Sequence, residues 1–407
     1  MLDFIGRKEN CTGCSACYAA CPVHCITMKK DEEGFFYPEA DIEKCIKCGK
    51  CQKVCPIASS MTEDRSVTSQ TVITARSKSH EVWKTSASGG AFTEICKAWG
   101  DETCQIYGAV MRDGYVRHEI GEFKDIVKFR KSKYVQSNQE DTFSNVKDSL
   151  ERGYKVVYSG TPCQVAGLRS FLRKDYPNLL LIDFICHGVG SPAVLRKCMN
   201  YVGEQRGFNC TNYLFRQKEY INGQLSIYVS FYSKTDKKDA AILDKTEDPY
   251  LSFFFNQLCL RPCCQENCRF RHPYRLSDIT LADYKSSVKR KAIPIRDYKN
   301  YSSIILNTAK GKELHEQLVS NMVSKPSSVG EIAKINPLFF KTTLGNNNRN
   351  AFFQDFVFGI GVEDLLGKYC KKEVENVKKL NPRQALGRAY EFFCRLVGVI
   401  LDRCNIY

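Results

Sequence analysis

A run of four cysteines closed by a proline occurs twice near the start of this chain. The first copy is Cys11, Cys14, Cys17, Cys21 and Pro22; the second is Cys45, Cys48, Cys51, Cys55 and Pro56, 34 residues further on. Each copy reads C-x2-C-x2-C-x3-C-P, the spacing that holds two 4Fe–4S clusters with the fourth cysteine of each run bound to the other cluster. Cys11, Cys14, Cys17 and Cys55 are therefore expected on one cluster, and Cys45, Cys48, Cys51 and Cys21 on the other. Zinc knuckles and disulfides are the competing explanations. Zinc calls for paired C-x2-C halves rather than triplets with a proline stop.

Together the copies resemble a two-cluster ferredoxin domain over residues 1–60. The resemblance implies electron transfer and leaves donor and acceptor open. Between the copies, residues 26–28 and 35–37 read as short strands around a turn at 31–34. The polar stretch 57–70 reads as a linker. At 407 residues the chain has room for a second, larger unit. Ten of its 22 cysteines lie between Cys96 and Cys268, and three more lie near the C-terminus. Thiolates that bind iron need a reducing compartment. No signal peptide precedes the first ligands. A cytoplasmic protein suited to an anaerobe is expected. The formal charge is +15. Such an excess suits an anionic coenzyme, an acidic redox partner, an anionic membrane surface or nucleic acid. No aromatic–basic platform or recognition-helix motif supports nucleic acid. No apolar run reaches the about 18 residues of a membrane-spanning helix.

The larger part opens with a strand at 71–75, then Ser88-Gly89-Gly90 ahead of a helix. Ser88 or Thr85 can cap that helix, and the glycines let a ligand approach its N–H groups; a plain cap with a glycine lead-in is the alternative. A hairpin follows at 106–111 and 115–120 around Arg112-Asp-Gly114. Lys131-Ser132-Lys133-Tyr134 suits either an anionic group or a solvated basic edge. Two strand–turn–helix units come next. Residues 155–158 lead through Gly160-Thr161-Pro162-Cys163 into a helix at 165–173, and residues 179–183 lead through Cys186-His187-Gly188 into a helix at 193–202. Short apolar strands joined by helices imply parallel pairing in an α/β sheet. Each places a cysteine past a strand's carboxyl end, where such sheets bind ligands; a buried structural thiol is the alternative for either. Strands are read at 213–216, 225–232 and 277–284, and a helix at 250–258. Cys259, Cys263, Cys264 and Cys268 fall within ten residues, which favours a metal over a disulfide in a cytosolic chain. Beyond about residue 340 the chain reads as helical and basic. Tyr390, Phe393, Val397, Ile400 and Leu401 could share a helical face, packed on the body or laid on a membrane or partner.

SASGGAF (86–92), KSKYVQS (131–137), SGTPCQVAGL (159–168), DFICHGVGSP (183–192), LRPCCQENC (260–268) and SDITLADY (277–284) stand in an order that resembles the family of coenzyme F420 hydrogenase/dehydrogenase beta subunits. Its members fuse a two-cluster ferredoxin to a flavin-binding reductase. They include subunits that reduce the deazaflavin coenzyme, a chlorophyllide reductase and bacterial homologues of unassigned substrate, which this chain most resembles. The resemblance implies an α+β and α/β architecture: a ferredoxin domain at 1–60, a linker at 61–70, a mixed α/β flavin-binding body at 71–350 and a helical basic tail at 351–407. It also implies a third 4Fe–4S cluster on Cys163, Cys186, Cys264 and Cys268. FAD is implied at Ser88, Gly89, Gly90, Ser132, Lys133, Gly160 and Thr161. The chain departs from the family pattern in three places. Cys264 and Cys268 are C-x3-C rather than C-x2-C, with Cys263 adjacent; Ala282 stands for a glycine; Lys285 stands for a tryptophan.

The expected function is an iron–sulfur flavoprotein oxidoreductase, passing electrons between the clusters and FAD to a hydride-accepting small molecule or coenzyme, F420 or another. The rival is a non-catalytic electron-transfer subunit of a larger complex. A partner redox protein suits either. His187 is the candidate proton donor, or else a hydrogen bond to a cluster sulfur.

Overall fold

The computed structural model describes residues 2, 5–58, 69–221, 224–233, 240–244, 247–265, 268–284 and 301–370. The first unit is small. Strands β1 (Ile26–Lys30) and β2 (Phe36–Ala40) pair antiparallel, and the Asp31 carboxylate closes their turn by accepting from the Phe35 amide at 2.8 Å. Single-turn helices, Ala16–Ala19 and Lys50–Lys53, carry the middle of each cysteine run.

The body is built on an eight-stranded mixed sheet. Its strands are β3 (Thr71–Ser77), β4 (Gln105–Arg112), β5 (Tyr115–Gly121), β6 (Val156–Ser159), β7 (Leu179–Phe184), β11 (Ile279–Asp283), β12 (Ser302–Leu306) and β13 (Met322–Ser327). In space they run β13-β3-β12-β11-β7-β6-β4-β5. β4, β6, β7 and β11 are parallel neighbours. Val156, Val157 and Tyr158 and the run Leu179–Ile182 are buried, as strands covered on both faces must be. β8 (Asn212–Ile221), β9 (Gln224–Ser233) and β10 (Ala240–Asp244) form a separate antiparallel sheet.

Both expected strand–turn–helix units are present, and both helices start earlier than the apolar pattern suggests. Pro162–Leu172 begins at a proline, with Thr161 and Gln164 as a capping box. Pro192–Arg206 begins likewise, with the Ser191 hydroxyl accepting from Ala193 and Val194. One expectation is corrected: neither Thr85 nor Ser88 caps the helix Ala91–Trp99. Gly90, at φ +88°, is its N-cap, and Thr85 ends the preceding helix His80–Thr85, which Ser79 caps. Gly89 is fixed by space, since a Cβ there would stand 2.3 Å from the Ala75 carbonyl. The apolar set at 390–401 lies outside the described residues. None of the described helices is long and apolar enough to cross a membrane.

The ferredoxin unit is locked to the body by buried polar contacts. Arg261 donates to the Cys11 carbonyl (2.8 Å) and the Phe36 carbonyl (3.1 Å). Gln136 accepts from the Phe36 amide at 2.9 Å. Arg349, from the helix Arg349–Phe358, makes a two-armed ion pair with Glu33 and donates to the Leu260 carbonyl at 2.7 Å. Both partners are mostly buried, with side chains 8% and 17% exposed. Removing one partner strands the other's charge. Glu33→Ala is expected to cost about 3 kcal/mol, read as a lower unfolding midpoint of the holoprotein, with Glu33→Leu/Arg349→Met recovering most of the loss.

Candidate functional site

The strand directions put the ends of β3, β6, β7 and β11 on one edge of the sheet, and the candidate site residues gather there. Cys163 sits in the first turn of Pro162–Leu172, just past β6, and Cys186 follows β7. The short helix Pro262–Cys264 brings in Cys264, with Cys268 beyond it. These four form one electrostatic group. Burial, and then the neighbouring Cys264, Cys268 and Cys186, hold the Cys163 thiol well above its ordinary value against the Thr161 hydroxyl. Burial and Cys264 push Cys186 up to about 12. Cys264 goes the other way, to about 6: the Cys263 thiol donates to it, while Val189 N–H, Arg261 and Arg271 favour its anion. Cys263 faces a cleft of about 780 Å3 between the ferredoxin unit and the body.

Two buried guanidiniums flank this group. Arg261 is 0% and Arg271 6% exposed. Arg261 Nη2 and Arg271 Nε and Nη1 find no hydrogen-bond partner among the described residues. Arg271 spends its other nitrogen on the carbonyls of His187 (2.7 Å) and Cys264 (3.1 Å). Buried cations of this kind require negative charge nearby. Four cysteines that become thiolates on binding iron supply it, so the donor set fits an iron–sulfur group.

The ferredoxin sets are equally distinct. Cys11, Cys14, Cys17 and Cys55 line one small cavity with Pro38, Pro56 and Ile57. Burial pushes Cys14 up to about 12, with Cys55 and Cys11 adding to it. In the other set, Cys51 is raised by burial and then by Cys48 and Cys45. Cys25 joins this second neighbourhood, its sulfur 3.4 Å from that of Cys21. The first set lies directly behind Cys163: a Cβ on Gly167, in the Cys163 helix, would stand 2.9 Å from Cys14 Sγ. Tyr158, fully buried, feels both Cys14 and Cys163.

The proposed flavin residues fall into neighbouring stretches of the same edge. Ser88 donates to the Tyr301 carbonyl at 2.7 Å, and the Gly89 amide to Ser302 Oγ at 2.9 Å; both bonds hold the loop on the sheet. Lys133 donates to the carbonyls of Lys128, Phe129 and Arg130. Burial, helped by Lys131, drops its pKa to about 7. His118 faces Lys133 and contacts the Ser159 carbonyl at 3.0 Å, one residue before Gly160. Two residues the sequence reading missed stand between these stretches. Arg216 pairs with Asp283 (2.8 Å) and donates to the Ala87 carbonyl (2.9 Å). Lys218 donates to the carbonyls of Trp83, Ser86 and Ser88. Burial, then Arg216, takes its pKa down to about 7. The β8–β9 register slips around Gln217, and both side chains reach the same loop at 83–88. His187 is half-buried; its ring lies tilted against that of Phe254, centroids 5.0 Å apart and planes at 40°.

Residues 153–329 match the family described as the C terminus of the coenzyme F420 hydrogenase/dehydrogenase beta subunit, and residues 10–59 match a 4Fe-4S dicluster domain. The F subunit of the F(420)H(2) dehydrogenase of Methanosarcina mazei is 24% identical over 200 residues, which span 44% of this chain and 54% of that one. Over residues 153–329, somewhat less than half its length, the chain is thus similar to the beta subunits of coenzyme F420 hydrogenases and dehydrogenases. It spans about half the length of that relative. An uncharacterized ferredoxin of Methanocaldococcus jannaschii is 38% identical over 55 residues, covering 14% of this chain and 70% of the ferredoxin. A chain of the F420-reducing [NiFe] hydrogenase complex of Methanosarcina barkeri aligns at 16% identity and a TM-score of 0.42, over 71% of this chain and 93% of that one. The chain thus joins a 4Fe–4S ferredoxin domain to a mixed α/β body.

Arg261 stands by thiols of both units, where it would stabilise the negative charge added on reduction of iron–sulfur groups held there. Arg261→Met is expected to lower the reduction potential of the ferredoxin iron–sulfur signal, and Arg261→Lys to restore part of it, as read by an EPR-monitored redox titration.

Proposed function

We propose that the chain is an iron–sulfur flavoprotein oxidoreductase that connects a one-electron donor or acceptor to a hydride-accepting substrate, coenzyme F420 or a molecule like it. Two 4Fe–4S clusters would sit on Cys11/Cys14/Cys17/Cys55 and on Cys45/Cys48/Cys51/Cys21. A third would sit on Cys163/Cys186/Cys264/Cys268, with FAD beside it in a body spanning about residues 71–350 and a helical basic tail following. What carries the reading is the helix Pro162–Leu172, which bears Cys163 in its first turn and backs Cys14 at Gly167. One element thereby sets the spacing between a ferredoxin set and the body set. A flavin exchanges electrons in pairs with its substrate and singly with iron–sulfur groups.

The chain's own residues would do the rest. The Ser88-Gly89-Gly90 loop, Ser132, Gly160-Thr161 and Arg216 would hold the anionic part of the flavin; Lys133 and Lys218, whose ammonium protons each go to three backbone carbonyls, would add positive charge rather than hydrogen bonds. Thr161, bonded to Cys163 Sγ at 3.1 Å, ties the loop to the thiol. His187, next to Cys186 in the chain, is held at its carbonyl by Arg271 and Thr343, with its ring against Phe254 and Phe255, and is the candidate proton donor. The second reading, an electron-transfer subunit without its own catalysis, draws on the relative from M. mazei, itself named as a subunit.

An anaerobic inventory tests both. About 12 irons per chain plus one flavin are expected, against about 8 if only the ferredoxin pair is loaded. Cys264→Ser should lose about four irons; a variant that keeps them all overturns the third assignment. Iron without flavin favours the second reading. Lys218 carries its charge only below its lowered pKa of about 7. FAD affinity should therefore weaken as pH rises from 7 to 9. Lys218→Met should bind FAD about tenfold more weakly at acid pH and flatten that slope.

A further inference from the structure

The two cysteine runs share a spacing and differ in everything else. Between Cys11 and Cys21 there is no charged residue, whereas the second run reads Lys44-Cys45-Ile46-Lys47-Cys48-Gly49-Lys50-Cys51-Gln52-Lys53. The first is turned inward: Cys11, Cys14 and Cys21 are buried, with Gly13 against Gln136 and Arg261 and Cys14 against Gly167 of the body. The second is turned outward. Cys48 is the one exposed thiol among the eight ligands, and Lys44, Lys47, Lys50 and Lys53 are all exposed. Ile42 is 79% and Ile46 61% exposed on the same loop.

The backbone makes the contrast sharper. The residue before the second cysteine is left-handed in both runs, Gly13 at φ +66° and Lys47 at φ +51°. At Gly13 a Cβ would meet Gln136 Nε2 at 2.4 Å, so the body permits nothing larger. The outward copy carries a lysine there, in a conformation that glycine would adopt without strain. Lys44 is paired with Asp41 at 3.1 Å, and Lys47, Lys50 and Lys53 have no carboxylate partner among the described residues.

We propose that this lysine-ringed, isoleucine-bearing face is the docking surface of a small acidic electron-carrier protein. The proposal rests on the two-cluster reading above. Charge complementarity chooses the partner. Cations ringing an exposed thiolate-bound group steer a negatively charged carrier, and the two isoleucines give a small apolar contact of the kind transient redox complexes use. One electron passes from the reduced carrier, which is oxidised, to the cluster on Cys21, Cys45, Cys48 and Cys51, which is reduced; no bond forms and no proton moves.

The probe is a reduced, acidic two-cluster ferredoxin mixed anaerobically with the full-length holoprotein, the second-order rate being followed as salt is raised from about 0.02 to about 0.3 M. The rate should fall about tenfold or more over that range. Lys47→Glu/Lys50→Glu/Lys53→Glu should lower it at least about tenfold at low salt, and the triple glutamine variant by less. Reduction by the small dye methyl viologen and the iron content should match wild type. A variant that has lost iron is replaced in the assay by the glutamine set or by Lys50→Glu alone. Unchanged ferredoxin rates in an iron-replete variant, or a rate indifferent to salt, overturn the proposal. So does lysine-dependent binding to anionic phospholipid vesicles without ferredoxin reduction. A wild-type chain with iron for fewer than two ferredoxin clusters would instead overturn the cluster reading itself.

Discussion

The buried guanidinium of Arg261 is the contact on which the two halves of this protein depend. It comes from the body, is wholly removed from water and has no carboxylate partner among the described residues. A lone ion in such a place would be expelled or neutralised unless hydrogen bonds and nearby negative charge replaced its water. The structure gives it two carbonyls of the ferredoxin unit and the face of Tyr37, 3.9 Å from the ring centre. Cys11 lies on one side of it and Cys263 and Cys264 on the other. The residue that pins the ferredoxin loop is thus also the positive charge between two thiol sets. Any change in one set's charge is felt by the same cation that faces the other.

That arrangement explains why a repeated sequence carries out two different tasks. The copy whose loop lies under Arg261 and against Gln136 had to stay small and neutral, hence Gly13 and the run of alanine, serine and threonine. Its twin is exposed over residues 46–48, 50 and 53 and carries the charges there. The pseudo-symmetry of the ferredoxin unit is therefore broken by what each half packs against, while its hairpin remains regular.

Much of this was legible in the sequence where chemistry depends on local spacing. The eight ferredoxin cysteines, the β1–β2 turn at Asp31, the hairpin at Asp113-Gly114 and the two strand–turn–helix units with Cys163 and Cys186 all follow from short-range pattern. Cys264 and Cys268 needed the family resemblance, because nothing local distinguishes them from Cys259 and Cys263. β13 was hidden by Pro326, tolerable only because that strand lies at the sheet's edge. Arg261 and Arg271 were not legible at all, and Arg216 and Lys218 barely. A single basic residue in a sequence looks like surface, and only folding reveals that it is buried. The one weak signal was alternation, with Arg216 and Lys218 two apart in a strand otherwise rich in aromatics.

Those four residues bear on the charge of +15. A basic excess invites thoughts of nucleic acid, yet the cations that demand explanation are not spread over a surface. Arg261 and Arg271 close on a set of thiols. Lys133 and Lys218 are buried deeply enough to lose their protons near neutrality, and Arg216 needs Asp283 to remain beside them. Burial without an anion is costly in each case. The proposed function places a bound anion beside each group, iron–sulfur in the first case and a phosphate-bearing cofactor in the second. The lysines of the second cysteine run extend the same logic to the surface, where the negative charge would arrive with a partner. On this reading part of the basic excess marks the positions of the groups that electrons pass through, from the outer cluster inward to the flavin.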